Sequence, residues 1–161
     1  MLFRSTGASS GFGYEVAKYA LSRGDKVVAT TRKASPLLQS LPQSQLLIIQ
    51  TDITKIEDVQ RVFAAIKQVH GKLDVVFSNA GYTLLAEVEG TPEEEARRLF
   101  EVNFWASMHV MQEAVKFFRE VNPKSVGGRI IQNSSASGMY CFPGQGIYSA
   151  SKHGRPLLLI A

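Results

Sequence analysis

The sequence predicts an α/β fold, in which a doubly wound parallel sheet carries helices on both of its faces. Short apolar runs alternate along the chain with segments whose apolar residues recur at helical spacing. The runs are apolar at nearly every position, which is typical of parallel strands buried on both faces. The chain has 161 residues without a repeat or a visible linker, so one domain is expected over residues 1–161.

Five apolar runs are predicted to form the strands of this sheet. They are rich in Val, Ile and Leu, and turn or helix-start residues follow them. The predicted strands are LFRS (2–5), KVVATT (26–31), LLIIQT (46–51), LDVVFS (73–78) and GRIIQNSS (128–135).

The segments between these runs are predicted to be helical. Gly24 is expected to end the first helix, and Thr91 is expected to cap the long one, where proline and acidic residues follow in the first turn. The predicted helices are FGYEVAKYALSRG (12–24), a weak helix or turn over SPLLQSL (35–41), residues 56–69, a long helix from Thr91 to about Glu120, and a last helix from near Gly146.

Composition and charge exclude several classes of function. The net charge is +4, from 18 basic and 14 acidic residues, and the basic residues are scattered rather than gathered into a run that would bind nucleic acid. Cys141 is the only cysteine, so neither an internal disulfide nor a cysteine metal cluster is expected. The histidines do not cluster, so no metal site is expected; they are His70, His109 and His153.

Neither end of the chain has the pattern of a leader or a membrane segment. The stretch MLFRSTG lacks the apolar length of a signal peptide, and LLLIA at 157–161 is far too short to span a bilayer. We therefore expect no membrane span and a cytoplasmic location.

The stretch TGASSGFG (6–13) predicts a site for a pyrophosphate group. It lies between the first predicted strand and the first predicted helix. Gly7 permits a tight exit from the strand, while Gly11 and Gly13 let the backbone approach an anion that meets the free N–H groups of the helix start. A glycine-rich turn without a ligand is the alternative, but the position between strand and helix favours a dinucleotide.

The end of the second strand indicates which dinucleotide is bound. A protein that binds NAD usually carries an acidic residue here for the ribose 2′-hydroxyl, yet none occurs between Asp25 and Asp52. Arg32 offers a planar donor fork that suits a 2′-phosphate, and Ser10 could add a hydroxyl. The alternative is an ordinary surface arginine, and we favour NADP(H) over NAD(H).

Five motifs stand in order between residues 6 and 152: TGASSGFG (6–13), SNAG (78–81), Asn103, Ser135 and YSASK (148–152). Together they resemble the compact branch of the short-chain dehydrogenase/reductase family. The resemblance implies a Rossmann-like, NAD(P)-binding oxidoreductase that moves a hydride between nicotinamide and an alcohol or carbonyl substrate. The cofactor contacts that it implies are Gly7, Ser9, Ser10, Gly11, Phe12, Gly13, Arg32, Asp52, Ile53, Asn79, Ala80, Gly81, Tyr148 and Lys152.

The catalytic set that the resemblance implies is Asn103, Ser135, Tyr148 and Lys152. Lys152 follows Tyr148 by four positions, so both side chains share one helix face, and an ammonium beside a phenol favours the phenolate. Lys152 would also hold the nicotinamide ribose, and Asn103 would hold a water that relays protons to it. Ser135 would bond the substrate oxygen, although Ser134 competes for this role.

Apolar residues between Ser135 and Tyr148 favour an apolar small-molecule substrate. The resemblance implies that this segment lines the substrate pocket. Its residues are Met139, Tyr140, Cys141 and Phe142.

The sequence departs from the family pattern near both ends. Arg4 stands in the first strand where the family usually has a buried apolar residue, and a short, charged central strand weakens a sheet. The family continues past Lys152 through a long helix and two more strands. Here Pro156 is expected to cut that helix short, and only Leu157 to Ala161 follow it. We therefore expect a fold that is C-terminally incomplete after about residue 153.

Two functions of different classes stay open. The first is an NADP(H)-dependent oxidoreductase of the family type. The second is a truncated, catalytically weak or inactive nucleotide-binding remnant or isoform that pairs with a full-length relative. Self-association to a homo-oligomer is also expected, because the edge of the fifth strand and the apolar residues 157–160 lack an obvious partner.

Overall fold

A computed structural model describes residues 1–157 of the protein, with side chains through Gly154. Its centre is a parallel sheet in which the strand order is β3-β2-β1-β4-β5. The predicted doubly wound α/β class is therefore confirmed. The strands within the described residues are β1 Leu2–Thr6, β2 Lys26–Thr31, β3 Leu46–Gln50, β4 Val75–Ser78 and β5 Arg129–Gln132.

Helices follow the strands in the alternation that the sequence predicts. The helices within the described residues are α1 Gly11–Ser22, α2 Pro36–Gln39, α3 Ile56–His70, α4 Glu93–Phe100, α5 Ala106–Glu120 and α6 Gly146–Leu157. Short 3₁₀ turns cover Gln43–Gln45 and Ala136–Gly138.

The sheet is covered on both faces by separate apolar layers. Val28 and Val76 point to the face on which α3 and α5 pack, together with Val62 and Val110. Side chains of the opposite face pack against α1 and α2, and they include Val27 with Leu38. This three-layer arrangement explains why the strands are apolar at consecutive positions.

The chain reverses its direction of winding between β1 and β4. From β1 it passes through β2 to β3 at one edge, and it then returns to place β4 on the other side of β1. In open parallel sheets of this kind, ligands bind beyond the carboxyl ends of the strands at that switch point. The ends of β1 and β4 therefore frame the expected site.

The long predicted helix is continuous from Glu93 to Glu120, but it contains a π-helical turn over Glu101–Trp105. Its first residue follows Pro92, and the Thr91 hydroxyl donates to the Glu87 carbonyl at 2.7 Å. The prediction that Thr91 caps this helix is therefore wrong, because its hydroxyl closes the preceding turn instead.

Arg4 lies in the middle of β1, opposite Val28 on β2 and Val76 on β4. Its side chain is fully buried, with the guanidinium carbon 4.7 Å from the centre of the Phe63 ring. None of its three nitrogens has a hydrogen-bond partner among the described residues, and burial lowers the pKa of Arg4 to about 9. β1 nevertheless pairs with β2 along all five of its residues.

Helix α6 continues past Pro156 to Leu157. The expectation that Pro156 cuts this helix short stays a prediction, because the described residues end one position after the proline. Proline removes one N–H group, and its fixed φ of about −65° is compatible with helix. The remaining residues of the predicted apolar cluster, Leu158 to Ile160, lie outside the described part of the chain.

Candidate active site

A cavity of about 1220 Å³ opens at the carboxyl ends of the strands. Every predicted cofactor contact except Gly13 lines it, and so do Ser135, Tyr148 and Lys152. The cavity extends from the glycine loop and the end of β2, past the ends of β3 and β4, to the loop after β5 and helix α6. The structure thus brings together residues that are up to 145 positions apart in a chain of 161.

The glycine loop forms the floor of one end of this cavity. Gly7 and Gly11 have φ of 61° and 55°, a left-handed conformation that favours glycine. Ser10 precedes the first turn of α1 without capping it through its side chain, and no acidic residue lies in that turn. The free N–H groups and the positive end of the helix dipole are therefore left to attract an anion.

Gly13 lies beneath the loop instead of on the cavity wall. A Cβ atom added there would stand 2.7 Å from Asn79 Nδ2 and would also overlap the Gly7 carbonyl. The absence of a side chain therefore lets α1 pack against the loop and against the end of β4. The prediction that Gly13 approaches the pyrophosphate does not match this position, because the residue acts here through packing.

Asn79 links three strand ends. Its Nδ2 donates to the Thr6 carbonyl at 3.0 Å, and its own N–H donates to Thr6 Oγ1 at 2.8 Å. Its Oδ1 accepts from Asn133 Nδ2 at 2.9 Å, and the Asn133 carbonyl accepts from Lys152 Nζ at 3.5 Å. A chain of polar contacts therefore runs from the glycine loop to the lysine of α6.

Tyr148 and Lys152 lie on one face of α6, as their spacing predicts. Lys152 is 4% exposed, and its Nζ is 5.7 Å from the centre of the Tyr148 ring. Ser135 lies on the same wall, where its Oγ accepts the Ser137 N–H at 3.2 Å and keeps its own hydrogen for another acceptor. Ser134 also lines the cavity, so both serines reach it.

Asn103 is fully buried behind the wall, at the centre of the π-helical turn. Its Oδ1 accepts the Tyr82 N–H at 3.0 Å, and its Nδ2 donates to the Tyr82 carbonyl at 2.9 Å and to Ser151 Oγ at 3.1 Å. Both amide hydrogens are thus engaged by protein atoms. The side chain braces the segment after β4, and a water held by Asn103 stays a prediction.

The end of the cavity near β2 is basic. Arg32 and Lys33 are both exposed and both line it, beside Ser9 and Ser10. Asp52 lines the neighbouring wall, but its Oδ1 accepts from the hydroxyl and the N–H of Thr54 at 2.7 and 3.1 Å. The positive charge of the two basic side chains at this end suits an anionic group.

Helix α4 contributes a charged pair that the sequence did not predict. Glu95 and Arg98 line the cavity and form an ion pair of 3.2 Å, and Arg98 also pairs with Glu94. Burial raises the pKa of the nearby Tyr82 phenol and Glu95 raises it further, whereas Arg98 and Arg32 oppose this rise. No sequence signal marks these residues, because charges three or four positions apart are equally typical of any exposed helix.

The apolar residues expected to line the substrate pocket do not line this cavity. Met139, Tyr140, Cys141 and Phe142 are exposed in the loop between Ser135 and Tyr148. Their expected contact with the substrate therefore stays a prediction.

Two kinds of feature are absent from the part of the chain that the structure describes. No three His, Cys, Asp or Glu side chains among residues 1–157 form a group that could hold a metal ion. In the same part of the chain, no helix combines the length and the apolar character needed to cross a bilayer.

Comparison with known proteins gives a consistent result. The family model described as short chain dehydrogenase matches residues 5–159. The uncharacterized oxidoreductase C162.03 of Schizosaccharomyces pombe is 38% identical over 147 residues, which are 91% of this chain and 49% of that protein. The 3-ketodihydrosphingosine reductase of Bacteroides thetaiotaomicron is 33% identical, over 91% of this chain and 51% of its own length.

Solved structures agree with the fold. A short-chain dehydrogenase from Streptomyces avermitilis superposes with a TM-score of 0.88 and 31% identity, over 98% of this chain and 58% of that one. ElxO, solved with NADP bound, also gives 0.88, with 26% identity and coverage of 98% and 64%. The chain thus spans about half the length of the curated relatives it matches.

Proposed function

The chain belongs to the short-chain dehydrogenase family, and we propose that it is an NADP(H)-dependent oxidoreductase acting on an alcohol or carbonyl group. The observation that carries this proposal is the position of Tyr148, Lys152 and Ser135 on one wall of the cavity whose other end is the glycine loop. A single ligand of dinucleotide size can reach both ends. The side chains needed for hydride chemistry stand at the end opposite the anion site.

The adenosine half of the cofactor fits the residues that are present. Gly7 is crowded on one side, since a Cβ added there would lie 3.1 Å from the Ala80 Cα, and its left-handed φ turns the loop toward α1. The first turn of α1 then offers its N–H groups to the pyrophosphate. Asp52 and Ile53 are proposed to border the adenine, and Ala80 and Gly81 the adjoining ribose.

The proposed preference for NADP(H) rests on Arg32 with Ser10. Both are exposed on the cavity wall at the end of β2 and the start of α1, where a 2′-phosphate would be held. Asp52 is the acidic residue nearest in sequence after β2, and its carboxylate already accepts two bonds from Thr54. ElxO, a structural neighbour, has NADP bound, which supports the proposal.

The catalytic roles follow from the residue chemistry. A bound nicotinamide supplies or accepts the hydride. In the reducing direction the substrate oxygen needs a proton, which Tyr148 is proposed to donate, while the Lys152 ammonium stabilises the phenolate that is left. Ser135 keeps its hydroxyl hydrogen for the substrate oxygen, and it thereby fixes the carbonyl in the site.

An apolar substrate body is proposed from the surface beside the cavity. The loop after Ser135 and the loop after β4 are joined by the Ala86 N–H, which donates to the Gly144 carbonyl at 2.9 Å. Both loops expose large apolar side chains, which a substrate of matching character could contact. These side chains are Leu85, Val88, Met139, Tyr140 and Phe142.

A second candidate is a nucleotide-binding protein without turnover. It is the second of the two functions that the sequence leaves open. Binding of the cofactor without product formation in the presence of carbonyl substrates would distinguish this candidate from the first. The cytoplasmic location stays a prediction, which fractionation of cells that express the chain can test.

Titration with NADPH and NADH tests the proposed cofactor, with nucleotide fluorescence and thermal shift as the readouts. We expect Arg32→Asp to weaken NADPH binding roughly 10- to 100-fold, because a charge-assisted contact to the 2′-phosphate is lost. NADH binding should change little. The control is Arg119→Asp, which makes the same charge change on an exposed site of α5 outside the cavity. Equal losses for NADPH and NADH in Arg32→Asp would contradict the assignment.

A further inference from the structure

Ser151 lies on α6 beside Lys152, and its side chain is fully buried. Its hydroxyl donates to the Tyr148 carbonyl at 2.7 Å and accepts from Asn103 Nδ2 at 3.1 Å. One side chain therefore joins the helix that carries the tyrosine and the lysine to the π-helical turn that carries Asn103. The geometry uses both the donor and an acceptor position of the hydroxyl.

The Asn103 amide extends this connection to the opposite wall of the cavity. It forms two hydrogen bonds with the backbone of Tyr82, at 3.0 and 2.9 Å, as a paired strand would. Tyr82 directly follows the segment Asn79–Gly81, which lines the cavity. The Ser151 hydroxyl, the Asn103 amide and the Tyr82 backbone thus form a continuous link from α6 to the chain leaving β4.

Ser149 offers a comparison on the same helix. It is also buried, at 2% exposed, but its Oγ has no hydrogen-bond partner among the described residues. A buried serine is therefore tolerated on α6 without any bond. The two bonds of Ser151 are not a general consequence of burying a serine in this helix.

We propose that Ser151 is a positioning residue, which holds Tyr148 and Lys152 in place through Asn103; this inference rests on the proposed oxidoreductase function. Removing its hydroxyl leaves one N–H of the Asn103 amide unpaired in a buried place, where a missing partner is costly. The π-helical turn and α6 are then free to shift against each other. The nicotinamide end of the cavity changes, whereas the hydrogen bonds of Ser151 reach neither the glycine loop nor β2, which hold the phosphate groups of the adenosine half.

Binding measurements with two ligands distinguish an effect on the nicotinamide end from an effect on the adenosine end. NADPH occupies the whole proposed site, and 2′,5′-ADP occupies the adenosine end alone. We expect Ser151→Ala to raise the Kd for NADPH about tenfold, the effect of one lost hydrogen bond, and to leave the Kd for 2′,5′-ADP unchanged. Ser149→Ala is the matched control, and it should change neither Kd.

A double-mutant cycle tests whether Ser151 acts through Asn103. The effects of Ser151→Ala and Asn103→Ala on the Kd for NADPH should be far from additive, since both remove the same link. Circular dichroism shows whether each variant folds. If Ser151→Ala does not fold, Ser151→Cys, which keeps the volume but bonds weakly, carries the same expectation.

Three results would overturn the inference: equal weakening of both ligands by Ser151→Ala, equal effects of Ser151→Ala and Ser149→Ala, or additive effects in the cycle. Each of these leaves the proposed function intact, because the unsubstituted chain still binds NADPH. A chain that binds neither NADPH nor 2′,5′-ADP would contradict the proposed function itself, and the inference with it.

Discussion

Arg4 carries a guanidinium into the apolar layer between β1 and α3. It is surrounded by residues such as Val28, Phe63 and Val76, and none of its nitrogens finds an acceptor among the described residues. The contact with the ring of Phe63 offsets part of the desolvation cost. Burial of an unpaired charge remains unfavourable, and the lowered pKa of Arg4, to about 9, has the same cause.

We predict that Arg4→Leu makes the protein more stable, by about 1–4 kcal/mol in the free energy of unfolding. The leucine fills a similar space without a charge to desolvate. Urea unfolding at pH 7 measures the difference, and Arg119→Leu, at an exposed site, should stay within about 0.5 kcal/mol of the native value. A native chain that is more stable than Arg4→Leu would contradict this reading of β1.

The difference in the free energy of unfolding between Arg4→Leu and the native protein should also depend on pH. A base with a lowered pKa in the folded state binds fewer protons when folded than when unfolded, so stability rises with pH through this interval. The cost of Arg4 is therefore complete below about pH 9 and decreases above it. Unfolding measured between pH 7 and 10 should show the two proteins converging at the alkaline end.

At the scale of elements, the site depends on how closely α1 packs against the ends of β1 and β4. Gly13 lies at the contact, where the Gly7 carbonyl and the Asn79 amide leave no room for a side chain. Asn79 in turn bonds both the glycine loop and Asn133 at the end of β5. A shift of α1 should therefore disturb the anion site and the polar link to Lys152 together.

We predict that Gly13→Ala lowers the free energy of unfolding by about 1–3 kcal/mol, the usual cost of overpacking, and weakens NADPH binding. Gly90→Ala is the control. The φ of Gly90 is not in the left-handed region, and the nearest atom to an added Cβ is 3.9 Å away. Thermal unfolding and an NADPH titration measure the two effects. A Gly13→Ala variant with native stability and affinity would show that the loop adapts to the added methyl group.

The strands could be predicted because a strand buried on both faces needs a run of apolar residues such as Val, Ile and Leu, and most helices could be predicted from the spacing of their apolar residues. β2 begins and ends at the predicted residues, and β3 differs by one. The cap of α4 was predicted wrongly because a local hydrogen bond competes with it. The Thr91 hydroxyl donates to the Glu87 carbonyl instead of capping α4. The π-helical turn leaves no mark in apolar spacing, so it could not be predicted.

The position of the site in the fold could be predicted from the topology of the sheet more readily than from the identity of single residues. Residues that follow parallel strands meet at one edge of the sheet, so Asn79, Ser135 and Arg32 could be expected to line one cavity. Glu95 and Arg98 reach the same cavity from a helix, whose placement on the sheet no sequence period specifies. The link from Asn103 to Ser151 could not be predicted either, because it joins side chains 48 positions apart.

At the scale of the whole molecule, β5 forms an edge of the sheet within the described residues. Ile131 in this strand is 50% exposed, although strands of parallel sheets are usually covered on both faces. Unpaired backbone groups beside exposed apolar side chains favour association with another chain. The expected homo-oligomer is therefore proposed to form through this edge.

We predict that the native chain elutes as a species larger than a monomer in size-exclusion chromatography, in a concentration-dependent way. Ile131→Lys should shift it toward the monomer, because a charge on an edge strand opposes pairing. Val69→Lys, which adds the same charge to an exposed site of α3, should leave the elution unchanged. A native chain that is monomeric at all concentrations would contradict the role of this edge.

The chain is also expected to be a slow catalyst. Hydride transfer needs the two reacting carbons held at close distance. The apolar loop after Ser135, however, is exposed rather than closed over the site. A test of the proposed oxidoreductase function must therefore detect slow turnover. Transfer of deuterium from NADPH labelled at the reactive carbon of its ring, into the alcohols formed from a panel of apolar aldehydes and ketones, meets this need.

Mass spectrometry of the alcohol products is the most direct measurement. We predict deuterium on the carbinol carbon with the native chain and with Tyr19→Phe, which changes an exposed tyrosine of α1. Tyr148→Phe should give at least about 100-fold less labelled product, since the proton donor is lost, while it still binds NADPH. A native chain that binds NADPH but labels no product would contradict the proposed oxidoreductase function. A Tyr148→Phe variant that labels the product at the native rate would contradict the proposed role of Tyr148 as proton donor.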